Sequence, residues 1–173
     1  MKALTWLDTS AGRRIAYHIV EAQGDISASP GVVFLGGFRS EMTGTKASWL
    51  DDWARSRGRA YLRFDYSGHG ASSGEFEEGC VGDWAEDATE VLERLTEGPQ
   101  VLVGSSMGGW IALLLARRLP ERVAALVGIA AAPDFTERMF RGFSEAQRRS
   151  WKATAACCCP PPIRTSPIRS RGG

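Results

Sequence analysis

Short apolar runs alternate along the chain with segments of helical periodicity, and this alternation limits the possible folds. The runs begin at residues 32, 61, 101 and 123, and the helical segments cover about 45–57, 81–95 and 107–118. Val32 to Leu35 is apolar at every position, which is typical of a strand buried on both faces of a parallel sheet. The pattern predicts an α/β fold, a doubly wound and mostly parallel sheet with helices on both faces.

The first 20 residues follow a different pattern. Trp6, and later Ile15, Tyr17 and Ile19, alternate with more polar residues, and residues 9–12 have the composition of a turn. We therefore expect an antiparallel hairpin ahead of the parallel sheet.

The composition of the chain changes abruptly towards its end. Residues 1–137 carry 13 basic and 19 acidic side chains, whereas residues 138–173 carry 8 basic side chains and 1 acidic. From residue 153 onwards there is no acidic residue and no periodicity, and three prolines stand in a row. We expect an α/β core over 1–152 that lacks its last strands, because of truncation or a frame shift near residue 152, and a disordered tail over 153–173.

One pentapeptide has the composition of a catalytic turn. Gly104-Ser105-Ser106-Met107-Gly108 has the spacing GxSxG, and it lies between a predicted strand and a predicted helix. In that setting GxSxG is typical of a nucleophile elbow, in which small residues let the strand and the helix approach closely. The turn would present the Ser106 hydroxyl at a helix N-terminus, where free N–H groups favour an oxyanion. The alternative is an ordinary Gly-Ser turn before a helix.

Two further segments follow predicted strands. Gly36-Gly37-Phe38 comes after the first parallel strand, and residues 64–70, FDYSGHG, come at the end of the next one. Because the carboxyl ends of parallel strands meet at one edge of a sheet, both segments should lie near Ser106. We expect the backbone N–H groups of Phe38 and Met107 to form an oxyanion hole.

Three segments together carry a family resemblance: GGFRSEMTGTKA, RFDYSGHGASSGEF and GSSMGGWIALLLA, in this order. The chain resembles the α/β-hydrolase family, and within it the small esterases and palmitoyl-protein thioesterases, over residues 1 to about 150. The resemblance implies a serine hydrolase that cleaves carboxylic ester or thioester bonds through an acyl-enzyme on Ser106. It implies a small acyl ester or thioester as substrate and no cofactor.

The chain departs from the family in its histidines. The family's triad runs Ser, then Asp or Glu, then His along the chain, yet both histidines here, His18 and His69, precede Ser106. Asp134, after the last predicted strand, is the candidate acid. His69 is either the base or part of a structural Gly-His-Gly turn. The alternative function is that of a catalytically incomplete relative, which retains the crevice without turnover.

Other functional classes find little support in the sequence. The basic tail lacks interleaved aromatic residues, so we expect no nucleic-acid partner. The apolar runs are shorter than the roughly 20 residues of a membrane-spanning helix, and no secretory signal is apparent, so we expect a cytoplasmic protein.

Cys80 and residues 157–159 have neither metal-site nor disulfide spacing, so we expect no metal. We expect the acidic cluster at residues 75–78 to be a solvated loop, and no oligomeric state follows from the sequence.

Overall fold

A computed structural model describes residues 4–23, 29–135 and 141–149. Within them the chain forms these elements: β1 (Thr5–Asp8), β2 (Arg14–Val20), β3 (Val32–Leu35), α1 (Thr45–Ser56), β4 (Tyr61–Phe64), α2 (Val81–Leu95), β5 (Gln100–Ser105), α3 (Met107–Arg118) and β6 (Val123–Ile129). Single 3-10 turns occur at Phe76–Glu78 and Pro120–Arg122. The predicted disordered tail over 153–173 lies outside the described residues.

The strands form one sheet in the order β1-β2-β4-β3-β5-β6. β1 pairs with β2, and β2 with β4, in antiparallel orientation, whereas β4, β3, β5 and β6 run parallel. This confirms the predicted mostly parallel sheet with an N-terminal hairpin. β5 is longer than the apolar run 101–103 indicates, because its pairing with β6 extends from Gln100 to Ser105.

The sheet has a hydrophobic layer on each face. Side chains along a strand point to opposite faces in turn, so Val33 and Leu35 pack with α2 and α3, whereas Val32 and Phe34 pack with α1. The larger layer contains the inward stripes of the two helices, from Trp84 to Leu92 on α2 and from Met107 to Leu115 on α3. A continuously apolar strand such as β3 is therefore explained by burial on both sides.

A buried carboxylate joins the hairpin, α2 and the segment after β4. Asp87, on the inner face of α2, is fully buried. One carboxylate oxygen lies 2.6 Å from Nε of Arg13, and the other accepts the N–H (2.9 Å) and the hydroxyl (2.7 Å) of Ser67. Because this buried carboxylate binds Arg13 of the hairpin and Ser67 of the segment after β4, it fixes both segments relative to α2.

None of the helices in the described part of the chain combines the length and the apolar composition that a bilayer span requires.

Candidate active site

Ser106 lies in a strained turn between β5 and α3. Its backbone angles are φ 52° and ψ −117°, a region that non-glycine residues rarely adopt. Its N–H donates to the Ile129 carbonyl at 3.0 Å, and its carbonyl accepts the N–H groups of Gly109 (2.9 Å) and Ala132 (3.1 Å). The end of β6 and the residues after it therefore hold the turn in a conformation that costs about 1–3 kcal/mol.

The glycines beside Ser106 allow strand and helix to approach as closely as predicted. A Cβ atom on Gly104 would lie 2.6 Å from the Cα of Gly109. A Cβ atom on Gly108 would lie 2.5 Å from the carbonyl carbon of Leu35, at the end of β3. Since real Cβ atoms do not approach backbone atoms so closely, no side chain fits at either position. The Ser106 side chain itself is partly exposed.

The segment Gly36–Met42, here called the 36–42 loop, lies directly against this turn. A Cβ atom on Gly37 would be 3.4 Å from the Cβ of Ser106 and 3.4 Å from the Ser105 carbonyl oxygen. The loop carries Phe38, and Met107 is the first residue of α3, where a helix leaves its N–H groups without intrahelical acceptors. Within residues 4–23, 29–135 and 141–149, neither the Phe38 N–H nor the Met107 N–H has a hydrogen-bond acceptor. Met107 is thus the residue after Ser106, and Phe38 follows the glycine that lies against it. Their role as oxyanion donors stays a prediction.

The Phe38 side chain belongs to a row of aromatic rings beside the turn. It is 42% exposed, and its centroid lies 4.9 Å from Phe76 and 5.7 Å from Phe135. Phe135 in turn contacts Trp110, on the first turn of α3, at 5.8 Å. We call these four residues the aromatic row. Sequence reasoning missed it, since the residues come from four separate segments.

His69 is packed into the loop after β4 and does not contact Ser106. Its ring is 4% exposed and lies 5.6 Å from Tyr66, 5.0 Å from Phe76 and 5.0 Å from Trp84. Nδ1 is 3.1 Å from the Ser67 carbonyl oxygen, and Nε2 is buried without a hydrogen-bond partner among the described atoms. These contacts favour the structural-turn alternative for His69.

The other histidine also lies apart from the site. His18 Nε2 is 3.0 Å from the Asp51 carboxylate on α1. In the part of the chain that the structure describes, the Ser106 hydroxyl has no hydrogen bond to either imidazole. Among the described residues, the structure therefore brings the candidate nucleophile close to the loop that carries Phe38, but it brings neither imidazole to the Ser106 hydroxyl.

Asp134 follows β6 in a left-handed conformation, with φ 55°. It is exposed, and it forms no hydrogen bond or ion pair with another described residue. Its role as the catalytic acid stays a prediction.

Residues 157–159, with their three cysteines, lie outside the described ranges, and within those ranges no group of three or more His, Cys, Asp or Glu could hold a metal.

A cavity of about 360 Å³ adjoins the 36–42 loop. Arg39 and Ser40 line it on one side, and His69 and Phe76 on the other, whereas Ser106 does not line it. The Arg39 guanidinium lies 4.5 Å above the Phe76 ring and 3.0 Å from the Glu77 carboxylate. The cavity is thus next to the loop rather than at the hydroxyl.

The protein-family model for the alpha/beta hydrolase fold matches residues 32–156 of this chain. The chain belongs to the α/β-hydrolase family. It is similar to the palmitoyl-protein thioesterase ABHD10, mitochondrial, of Bos taurus, with 50% identity over 106 residues, which cover 61% of this chain and 35% of that protein. The Mus musculus protein of the same name is 42% identical over 132 residues, covering 76% of this chain and 43% of the relative.

A solved structure supports the same relationship. Alpha/beta hydrolase domain-containing protein 10 from mouse superimposes with a TM-score of 0.77 and 37% sequence identity, covering 87% of this chain and 58% of that chain. The matched residues span 35% of the Bos taurus thioesterase and 43% of the Mus musculus thioesterase, less than half the length of either relative.

The predicted cytoplasmic location is wrong by this comparison. The thioesterase relatives are named as mitochondrial proteins. The prediction relied on the lack of a membrane span and of a secretory signal, and these features do not distinguish one aqueous compartment from another.

Proposed function

We propose that this chain provides the nucleophile and the oxyanion hole of a serine hydrolase that cleaves carboxylic ester or thioester bonds, with Ser106 as the nucleophile. The observation that carries the proposal is the strained backbone of Ser106 at the N-terminus of α3, with φ 52°. A conformation that costs energy persists when surrounding contacts enforce it, and such residues cluster at active sites. The names of the thioesterase relatives support the same reaction class.

The chemistry follows from the position of the hydroxyl. Ser106 Oγ attacks the carbonyl carbon, and the negative charge that develops on the carbonyl oxygen is stabilised by the N–H groups of Phe38 and Met107. A base takes the hydroxyl proton, which passes to the leaving alcohol or thiol as the C–O or C–S bond breaks. Water then cleaves the acyl-enzyme, which releases the acid and restores the hydroxyl.

The aromatic row indicates the acyl part of the substrate. Phe38 and Phe135 form an apolar surface at the loop that lies against the Ser106 turn, and Phe38 is 42% exposed. Burial of methylene groups against such a surface contributes about 0.8 kcal/mol per CH₂. Together with the palmitoyl specificity in the relatives' names, this favours an acyl chain of several carbons over an acetyl group.

The second candidate function is that of a relative that binds acyl compounds without turnover. The observation that favours it is the position of the imidazoles. His69 is held by aromatic rings and His18 by Asp51, and the described residues place no base beside the Ser106 hydroxyl. Without a base, a serine hydroxyl is a weak nucleophile near neutral pH.

A labelling experiment distinguishes the two functions. A fluorophosphonate probe and p-nitrophenyl acetate are applied to the wild type, to Ser106→Ala and to Ser105→Ala, with and without added imidazole, and adducts are located by mass spectrometry. Ser105 is the matched control, since it is the neighbouring hydroxyl and is 7% exposed. We expect an adduct on the wild type and Ser105→Ala that increases with imidazole, and none on Ser106→Ala. A wild type that stays unlabelled even with imidazole would favour the second function.

We also infer a mitochondrial location for the protein, from the names of the thioesterase relatives. Fractionation of cells that express the natural protein tests it, since recovery outside the mitochondrial fraction would contradict the inference.

A further inference from the structure

We propose that Asp65 and Tyr66 are positioning residues for the oxyanion hole, because they hold the two ends of the 36–42 loop. This inference rests on the proposed function. At one end of the loop, the Tyr66 hydroxyl donates to the Gly36 carbonyl at 3.4 Å. At the other end, the Met42 N–H donates to Oδ1 of Asp65 at 2.6 Å. Phe38 lies between these anchors.

Both anchors are buried, so water does not compete for them. Asp65 is 3% exposed and Tyr66 is 1% exposed. Hydrogen bonds to an ionised carboxylate are about twice as strong as neutral ones, and low local polarity strengthens them further. Burial raises the pKa of Asp65 above its usual range, while the N–H groups of Ala71 and Met42 act in the opposite direction.

The Asp65 carboxylate is itself fixed from the opposite side. Its Oδ2 accepts the Ala71 N–H at 3.0 Å, and a Cβ atom on Gly70 would lie 2.8 Å from Oδ1. The carboxylate therefore joins the 36–42 loop to the loop after β4. The Met42 carbonyl is also held, by Nη1 of Arg63 at 2.9 Å, so both backbone groups of Met42 are anchored to the β4 region.

Between its ends the loop is held by packing and by one internal hydrogen bond. The Phe38 ring lies against Phe76 and Phe135, and Gly37 lies against the Ser106 turn. The Ser40 N–H donates to the Gly37 carbonyl at 3.1 Å, which forms a turn inside the loop. The Arg39 side chain pairs with Glu77 at the surface, and both side chains are more than half exposed. An exposed pair of this kind contributes little. The position of the Phe38 N–H relative to Ser106 therefore depends on the two buried anchors together with the packing of the Phe38 ring.

This dependence has a catalytic consequence. Removal of an oxyanion donor lowers kcat by about 100-fold to 1000-fold, and a small displacement of a donor lowers it by less. The loss should affect kcat rather than KM, because the oxyanion forms only in the transition state.

The test uses two conservative variants. Tyr66→Phe removes only the hydroxyl and keeps the ring packed on Phe64, 5.0 Å away. Asp65→Asn keeps the shape but replaces one acceptor with an NH₂ group, so either Met42 or Ala71 loses its partner. We expect kcat for p-nitrophenyl ester hydrolysis, in the presence of imidazole, to fall about threefold in Tyr66→Phe and about tenfold in Asp65→Asn, with KM within about twofold.

Ser72→Ala is the control for a general loosening of the same region. The Ser72 hydroxyl bonds to the main-chain oxygen of Asp65 (2.6 Å) and to the N–H of Ala16 (2.8 Å), and neither bond reaches the 36–42 loop. We expect its kcat to stay within about twofold of the wild type. Equal losses of kcat in the control and in Asp65→Asn would overturn the proposal.

Amide hydrogen exchange separates this inference from the proposed function. We expect the Met42 amide to exchange at least about tenfold faster in Asp65→Asn than in Ser72→Ala, whether or not the chain hydrolyses esters. A wild type without probe labelling would refute the proposed function but leave this readout intact. Unchanged exchange at Met42 would overturn the anchoring itself.

Discussion

The α-carbon of Gly108 lies so close to the main chain of Leu35 that a Cβ atom on Gly108 would be 2.5 Å from the Leu35 carbonyl carbon. This contact joins the first turn of α3 to the end of β3. It places the Ser106 turn against the 36–42 loop, which begins at the next residue, Gly36.

We expect Gly108→Ala to destabilise the fold by about 2 kcal/mol or more, because backbone atoms on both sides must move apart. Urea unfolding measures the change. Gly12→Ala is the matched control, since Gly12 has φ 75° with no atom within 4 Å of an added Cβ, and it should cost only about 1 kcal/mol. Equal losses in the two variants would mean that the contact with Leu35 is not tight.

Asp87 and Glu86, two of the three acidic partners of Arg13, should differ in their effect on stability. Asp87→Ala removes a fully buried carboxylate, so Ser67 and Nε of Arg13 lose their acceptor, and we expect a loss of about 3 kcal/mol. Glu86→Ala removes an exposed partner that lies 3.5 Å from Arg13, and should cost less than about 0.5 kcal/mol. Guanidinium unfolding of both variants checks this, and similar midpoints would contradict it.

The Cys80 thiol should react slowly. Burial, with the nearby Asp83 carboxylate adding to it, raises its pKa to about 11. At pH 8 the thiolate fraction is then about 100-fold below that of a thiol with the ordinary pKa. Iodoacetamide alkylation of the peptide that contains Cys80 should be correspondingly slow in the folded protein and fast in guanidinium. Equally fast alkylation in both states would show that Cys80 is not protected.

The Phe38 side chain should affect acyl-chain preference separately from the Phe38 N–H. Phe38→Ala keeps the backbone donor but removes the centre of the aromatic row. With imidazole present, we expect kcat/KM for a p-nitrophenyl octanoate to fall about tenfold and that for the acetate to change little.

Trp49→Ala is the control for this change, since Trp49 is an aromatic residue of α1 that is 64% exposed. It should leave both esters unaffected. If Phe38→Ala lowered the rates for the two esters equally, the aromatic row would not bind the acyl chain.

Several parts of the fold were predictable because their causes are local. The ranges of α2 and α3 agree with the apolar periodicity, since the buried stripe of a helix follows from the spacing of its own residues, and β6 begins at the predicted residue 123. The turn at Ser106 was predictable for a similar reason, because GxSxG sets its steric requirements within five residues.

The burial of β6 was not readable from its apolar composition. Val123–Ile129 is as apolar as β3, yet Leu126 is 41% exposed and Val127 is 47% exposed. Within the described residues β6 has one strand neighbour, β5, and lies at the edge of the sheet. Composition indicates that a segment is a strand, but its place in the sheet depends on which other segments cover it.

The sequence by itself determined the alternation of strands and helices, the small residues around Ser106 and the order of the segments that meet there. The tertiary structure decided which side chains meet in the neighbouring loops: Phe38 lies against Phe135, Asp65 binds the Met42 N–H, and His69 is enclosed by aromatic rings away from that serine. The physical reason is that each of these contacts joins residues from different segments of the chain. Their distances depend on how the whole sheet twists and packs, which no local pattern encodes.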